Sequence, residues 1–237
     1  MARKCAPKQL VMTFGTWGGW RPGAGRKPSK RRNKRVLHRA RPRVTRRCPL
    51  HITLRVRREL TSLRVKARCQ VIRQAFAAAC SYDGVRIVDW SVQANHLHLI
   101  VEADSAQQLA RAMQGFCVRV AKGLNRLLGR KGSVFQERYH QRVLGTPREV
   151  RNARAYVISN YRRHAATAGR QMDPGWVDPC SSWAWFDGWR DLTRAHEALA
   201  RETRTGPALA SNAKGWMLTK GWRKHGLVRV DEVPCSR

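Results

Sequence analysis

The chain has 237 residues, and its 48 Lys and Arg against 15 Asp and Glu give a formal net charge of +33. So large an excess goes beyond what solubility needs and selects polyanionic partners, nucleic acid first. No run of about eighteen apolar residues is present to span a bilayer, the Arg-rich N-terminus lacks the apolar segment of an export signal, and seven cysteines without a C-x-x-C pair suggest neither a disulfide framework nor a zinc ribbon.

In chain order, residues 1–50 come first, with sixteen Lys and Arg, no acid, and Pro and Gly interspersed. Such a segment cannot bury enough apolar surface to order itself, which predicts a disordered basic arm whose Arg26, Lys27, Arg31 and Arg32 meet DNA phosphates. Within it, RPGAGRKP (21–28) has the Gly-Arg-x-Pro character of an AT-hook, in which an extended Arg lies in a narrow minor groove; a nonspecific basic tail is the plainer alternative.

From residue 51 the pattern is that of a folded domain, expected to run to about 165. HITLRVR alternates Ile52, Leu54 and Val56 with His51, Thr53 and Arg55, a half-buried strand. A helix follows, capped by Thr61 or Ser62, with Val65, Cys69, Ile72, Phe76 and Cys80 as its apolar stripe. Two strands, 84–92 and 96–102, make a hairpin. Ser105 and Gln108 form a capping box for a helix whose stripe is Leu109, Met113, Phe116, Val120, Leu124 and Leu127. FQERYHQRVL (135–144) is a weaker fourth strand. Thr146, Pro147 and Glu149 then announce a third helix from 147 to about 164. The order β-α-β-β-α-β-α predicts an α+β fold: a ferredoxin-like split βαβ antiparallel sheet with helices on one face and an open opposite face, plus the third helix. Residues 166–237 form a tryptophan-rich extension whose rings either stack on unpaired bases or, the simpler reading, pin the segment to the core.

The candidate chemistry lies in ANHLHLIVEA (94–103). Alternation sends Leu97, Leu99 and Val101 one way and His96, His98, Ile100 and Glu102 the other, so the two imidazoles share the open face and can reach one ion. On the third helix, Val150, Ala153, Val157 and Tyr161 form the apolar stripe, whereas Tyr156 and Asn160, four apart, share another face with Arg163. Two imidazoles and an amide oxygen can hold a divalent ion, and a phenol beside them can attack phosphorus. Glu102, on the histidine face, is a candidate hard ligand or a carboxylate that orients the ligands. Tyr139 is the competing nucleophile; it sits among Arg138, His140 and Arg142, whose cations suit a DNA path that Gln136 and Glu137 also help to shape. With imidazole titrating near 6.5, activity is expected to fall below that pH.

His96-Leu97-His98, ERYHQRV and AYVISN at this spacing resemble the single-tyrosine HUH transposases, and most closely the REP-associated tyrosine transposases, over roughly residues 50–185. The resemblance implies that His96, His98 and Asn160 bind Mg²⁺ or Mn²⁺, although imidazole by itself prefers softer ions. It further implies that Tyr156 cleaves single-stranded DNA and keeps the 5′-phosphate covalently. The partners it implies are single-stranded or hairpin DNA, with room for a homodimer and no membrane, in a cytoplasmic, nucleoid-associated protein. Relatives have Asn-Pro where this chain has Asn160-Tyr161, so the third helix is expected to continue where theirs breaks. The alternatives are a nonenzymatic platform for single-stranded nucleic acid, which would carry aromatics where this sheet has histidines, and a replication-initiator nuclease with the same motif.

Overall fold

Four strands, β1 (Leu50–Arg55), β2 (Val85–Val92), β3 (His96–Ala103) and β4 (His140–Val143), pair antiparallel in the order β2-β3-β1-β4. This is the arrangement that the split βαβ pattern predicts. The computed structural model describes residues 42–234; Arg26, Lys27, Arg31, Arg32 and the AT-hook-like stretch lie outside them. Helices α1 (Lys66–Ala79) and α2 (Ala106–Leu127) cover one face of the sheet. There Leu50, Ile52 and Leu54 of β1 and Leu97, Leu99 and Val101 of β3 meet Ile72 and Phe76 of α1 and Met113, Phe116 and Val120 of α2.

Strand β2 is not a plain alternating ribbon. Its register slips between Ile87 and Asp89, so that Asp89 faces Ile100 and Trp90 faces Leu99. The bulge admits one extra residue and restores phase after it. Trp90 is thereby turned into the α1–α2 core, stacked on Phe76 at 4.3 Å, and Val88 and Asp89 are both left on the opposite side.

The helix boundaries depart from expectation in particular places. Helix α1 is flanked by Val65, which makes no side-chain cap; Ser62 accepts instead from the Arg64 amide, and Thr61 from Arg68. Val65 is exposed and Cys80 lies beyond the last turn, so the buried stripe is Cys69, Ile72, Ala75, Phe76 and Ala79. In α2 Ser105 caps as expected, accepting from the Gln108 amide at 3.2 Å, but its hydroxyl also donates to the Gln108 side chain, and Leu127 is exposed.

The predicted third helix is two helices, α3 (Pro147–Ile158) and α4 (Asn160–Thr167). The Thr146/Glu149 capping box and Pro147 start α3 as the sequence predicts. The break falls at Ser159 (φ −100°, ψ 17°) even without the proline. Tertiary pull explains it: Arg162 on α4 donates to the carbonyls of Asp173, Pro174 and Trp176. Tyr161 accordingly leaves the expected stripe and lies half-buried against Trp176, with the Arg64 guanidinium 3.9 Å over its ring.

The face opposite α1 and α2 is not open. Val150, Ala155, Val157 and Ile158 of α3 pack there with Val88, Ile100, Leu218 and Trp222. Arg154 crosses this layer to meet buried Asp89 through two bonds, Nε–Oδ2 2.7 Å and Nη2–Oδ1 3.1 Å, and lies 4.4 Å over Trp222. The C-terminal extension, as far as residue 234, belongs to the same compact unit as the sheet. Its strip 180–182 lies along the β2 edge, with Val92 N–H donating to Cys180 O and Ser182 N–H to Trp90 O. That covers backbone groups an exposed edge would leave unpaired. Trp183 and Trp222 are buried within this packing; among the described residues, Trp216 is the one exposed aromatic side chain of the Trp, Tyr and Phe set.

Candidate functional site

At one end of the α3 face the sheet presents only polar side chains. Strand register pairs Thr53 with His98 and Arg55 with His96, so His51, Thr53 and Arg55 share the histidine face. The imidazoles touch: His96 Nε2 and His98 Nε2 lie 3.0 Å apart. On its other side His98 Nδ1 is 3.1 Å from His51 Nε2 and 3.2 Å from Thr53 Oγ1. His96 Nδ1 is 2.7 Å from Asn95 Oδ1, an acceptor, which assigns the proton to Nδ1 and leaves the Nε2 lone pair free toward His98.

Helix α3 brings Tyr156 over this cluster, its ring 5.1 Å from His98 and 5.9 Å from His51 in edge-on contacts. Arg163 on α4 lies 5.2 Å over the same ring. His164 stands four residues after Asn160, its ring 6.3 Å from that of His96. Tyr156, His51, Arg142 and Arg163 line one cavity of about 400 Å³, with Arg151 and Glu232 on its rim. Asn160 is fully buried, and both its amide oxygen and its nitrogen lack a partner. A buried amide without a partner costs about 1–3 kcal/mol, so a ligand would relieve it.

Among the described residues no three His, Cys, Asp or Glu side chains are grouped to hold a metal ion. The donor set anticipated from the sequence contains only two such side chains, both histidines, with an amide as third. It fits on one count: donors about 2.1 Å from an octahedral ion and at right angles are about 3.0 Å apart, the separation of the two Nε2 atoms.

Burial dominates the electrostatics. It pushes His51 and His96 down to about 4 and His98 lower still, and neighbouring cations, Arg142 at His51 and His164 at His96, act in the same direction. The imidazoles therefore stay neutral well below 6.5, where the sequence alone would have them charge. The sign for stability follows: below 6.5 the unfolded chain takes up protons that the folded chain refuses, so stability falls from pH 6.5 toward 4. Melting curves across that range should show the loss, and His51→Gln should flatten it; an equal slope in the variant would mean that other groups carry it.

The remaining anticipated residues are distributed. Glu102 is turned away from the histidines: it accepts from Arg86 (2.8 Å) and from the amides of Lys214 (2.9 Å) and Gly215 (2.8 Å). Tyr139 packs against the core on the α1–α2 side. Arg138 is exposed on the segment leading into β4. Arg142 pairs with Glu149 at 2.8 Å. His51, Thr53 and His164 were not singled out from the sequence. Drawing the β1–β3 register would have found the first two, and extending the Tyr156–Asn160 spacing by four would have found the third.

Residues 44–160 match the family described as transposase IS200 like. Among solved structures, the chain is similar to a REP-associated tyrosine transposase bound to a REP hairpin, at 14% identity and TM-score 0.48, over 78% of this chain and 97% of that one. It is also similar to a bacterial tRNA(His) guanylyltransferase (Thg1)-like protein in complex with ATP, at 12% identity and TM-score 0.36, over 54% of this chain and 63% of that one. No curated protein matches the chain.

Proposed function

We propose that this chain, whose residues 44–160 match the IS200-like transposase family, cleaves single-stranded or hairpin DNA with Tyr156 and transfers the strand through a covalent phosphotyrosine. The observation that carries this reading is the meeting of Tyr156 on α3 with His98 on β3, whose imidazole in turn touches that of His96. The phenolic oxygen attacks the scissile phosphorus, an O–P bond forms as the phenol proton is lost, and the P–O3′ bond breaks to release a 3′-hydroxyl.

His96, His98 and Asn160 would hold a divalent ion, Mg²⁺ or Mn²⁺. Bound there, it would supply Lewis-acid polarisation of the phosphodiester. The chain's own groups do the rest. Arg163 fixes the Tyr156 ring from above and, with Arg142, offers positive charge to the incoming phosphate. His51 and Thr53 orient His98 through Nδ1. Such outer partners fix ring direction and tautomer. The expected arm 1–50 is shortened at its end, because Val44 packs on the core and Leu50 begins β1; in this proposal the basic residues before them hold phosphates nonspecifically, and the nuclease runs from there to about residue 165.

The test uses Mn²⁺ as the probe, by titration calorimetry on the full chain and by cleavage of a structured single strand. His96→Ala and His98→Ala should each weaken Mn²⁺ binding by more than about 100-fold and remove divalent-dependent cleavage while DNA binding survives. His51→Ala should weaken Mn²⁺ binding by about 10- to 100-fold, and His51→Gln less. Full cleavage in a chelator, or unchanged Mn²⁺ affinity in both histidine variants, would end the metal part of the proposal. DNA binding without any cleavage would favour the platform reading.

A further inference from the structure

On the α1–α2 side of the sheet, Cys69 of α1 and Cys180 of the strip along β2 meet with their sulfurs 3.0 Å apart, 111 residues distant in the chain. Both are buried, at 5% and 8% exposure. Their carriers are held firmly. Cys180 N–H donates to Asp178 Oδ1 at 2.9 Å, and Arg64 clamps Asp178 through two bonds of 2.9 and 2.8 Å. Arg64 also donates to Val92 O, and Val92 N–H returns to Cys180 O.

We propose that Cys69 and Cys180 are a thiol-oxidation site, at which a hydroperoxide closes an intramolecular disulfide that fastens the C-terminal extension to α1. The two sulfurs are not equivalent. The Cys69 thiol donates to Cys180, which holds Cys180 below an ordinary thiol with help from the Arg64 charge, whereas Cys69 is pushed up by the same bond and by burial. Cys180 is therefore the attacking sulfur. Its electron pair takes the terminal hydroperoxide oxygen, the O–O bond breaks, and an alcohol (water, for hydrogen peroxide) leaves. Cys69, having given up its proton, then attacks the Cys180 sulfenic acid; the S–S bond forms, the S–O bond breaks, and water leaves. Each sulfur gives one electron and the peroxide accepts two. The sulfurs need approach by only about 1 Å to reach a disulfide's usual 2.05 Å.

The experiment treats the full chain with hydrogen peroxide, blocks residual thiols by alkylation and maps the peptides by mass spectrometry. A Cys69–Cys180 cross-linked peptide, lighter by two hydrogens, is expected, with a melting temperature higher by roughly 10 °C that dithiothreitol reverses. In Cys69→Ala, Cys180 should accumulate as a sulfenic acid trapped by dimedone; in Cys180→Ala, Cys69 should not label. Cross-links that join other cysteines instead, or both sulfurs still alkylated after peroxide has oxidised half-buried Cys48, would overturn the assignment, and the wild-type map decides it even if a variant fails to fold.

Discussion

Tyr156→Phe is expected to lower DNA cleavage by at least about a thousandfold and to remove the covalent adduct, with DNA affinity almost unchanged. The change deletes one oxygen and keeps the ring that Arg163 covers and that meets His51 and His98 edge-on. Folding and phosphate contacts therefore persist, and only the attacking group is lost. Tyr139→Phe should cut normally, because that ring packs on the far side of the sheet. A Tyr156→Phe protein that still forms adduct, checked on a denaturing gel, would transfer the role elsewhere.

Arg154→Met is expected to destabilise the fold by about 3–5 kcal/mol, a fall of roughly 10 °C in melting temperature. Asp89 is fully buried, and both its oxygens are taken by Arg154. Removing the guanidinium leaves a carboxylate without a partner in the layer between α3 and the sheet, and such a group costs far more than the intact pair contributes. Asp89→Val combined with Arg154→Met should recover most of the loss, since the neighbouring side chains are largely apolar and Asp187, the other partner of Arg154, keeps Arg223. Calorimetric melting of the two variants checks this. Because Arg154 precedes Tyr156 by two residues on α3, the single variant should also lose cleavage at temperatures where it is still folded.

The sheet and its order were legible because local signals agreed: period-two alternation in β1 and β3, the Ser105 cap, and the Thr146-Pro147-Glu149 start of α3. What the sequence concealed depended on contacts distant in the chain. The β2 bulge leaves no local mark, yet it decides that Trp90 enters the core and that Asp89 meets Arg154. An Arg in the middle of an amphipathic helix reads as a solvated position until its buried partner is known. The expectation of one continuous third helix rested on the missing proline; Arg162, drawn to the carbonyls at 173–176, breaks it at Ser159 instead. Periodicity likewise gave a sheet with a free face, because nothing local says that residues 213–228 fold back over it.

At the site, His96, His98 and Tyr156 were marked by their spacing and by the family resemblance, and they lie together. His51 was visible as a polar alternate of β1, but its use depends on register, which pairs Thr53 with His98 and places His51 beside it. Glu102 shows the converse: the right face and the wrong neighbours, with Arg86 and two backbone amides taking its oxygens.

Whether Tyr156 becomes covalently joined to DNA is read from the mass spectrum of the trapped product. The full chain is incubated with structured single-stranded DNA and Mn²⁺, digested with nuclease and protease, and the nucleotide-bearing peptide is sequenced. A 5′-phosphonucleotide on Tyr156 within AYVISN is expected. The same modification on Tyr139 or Tyr161, or cleaved DNA with no modified tyrosine, would contradict it.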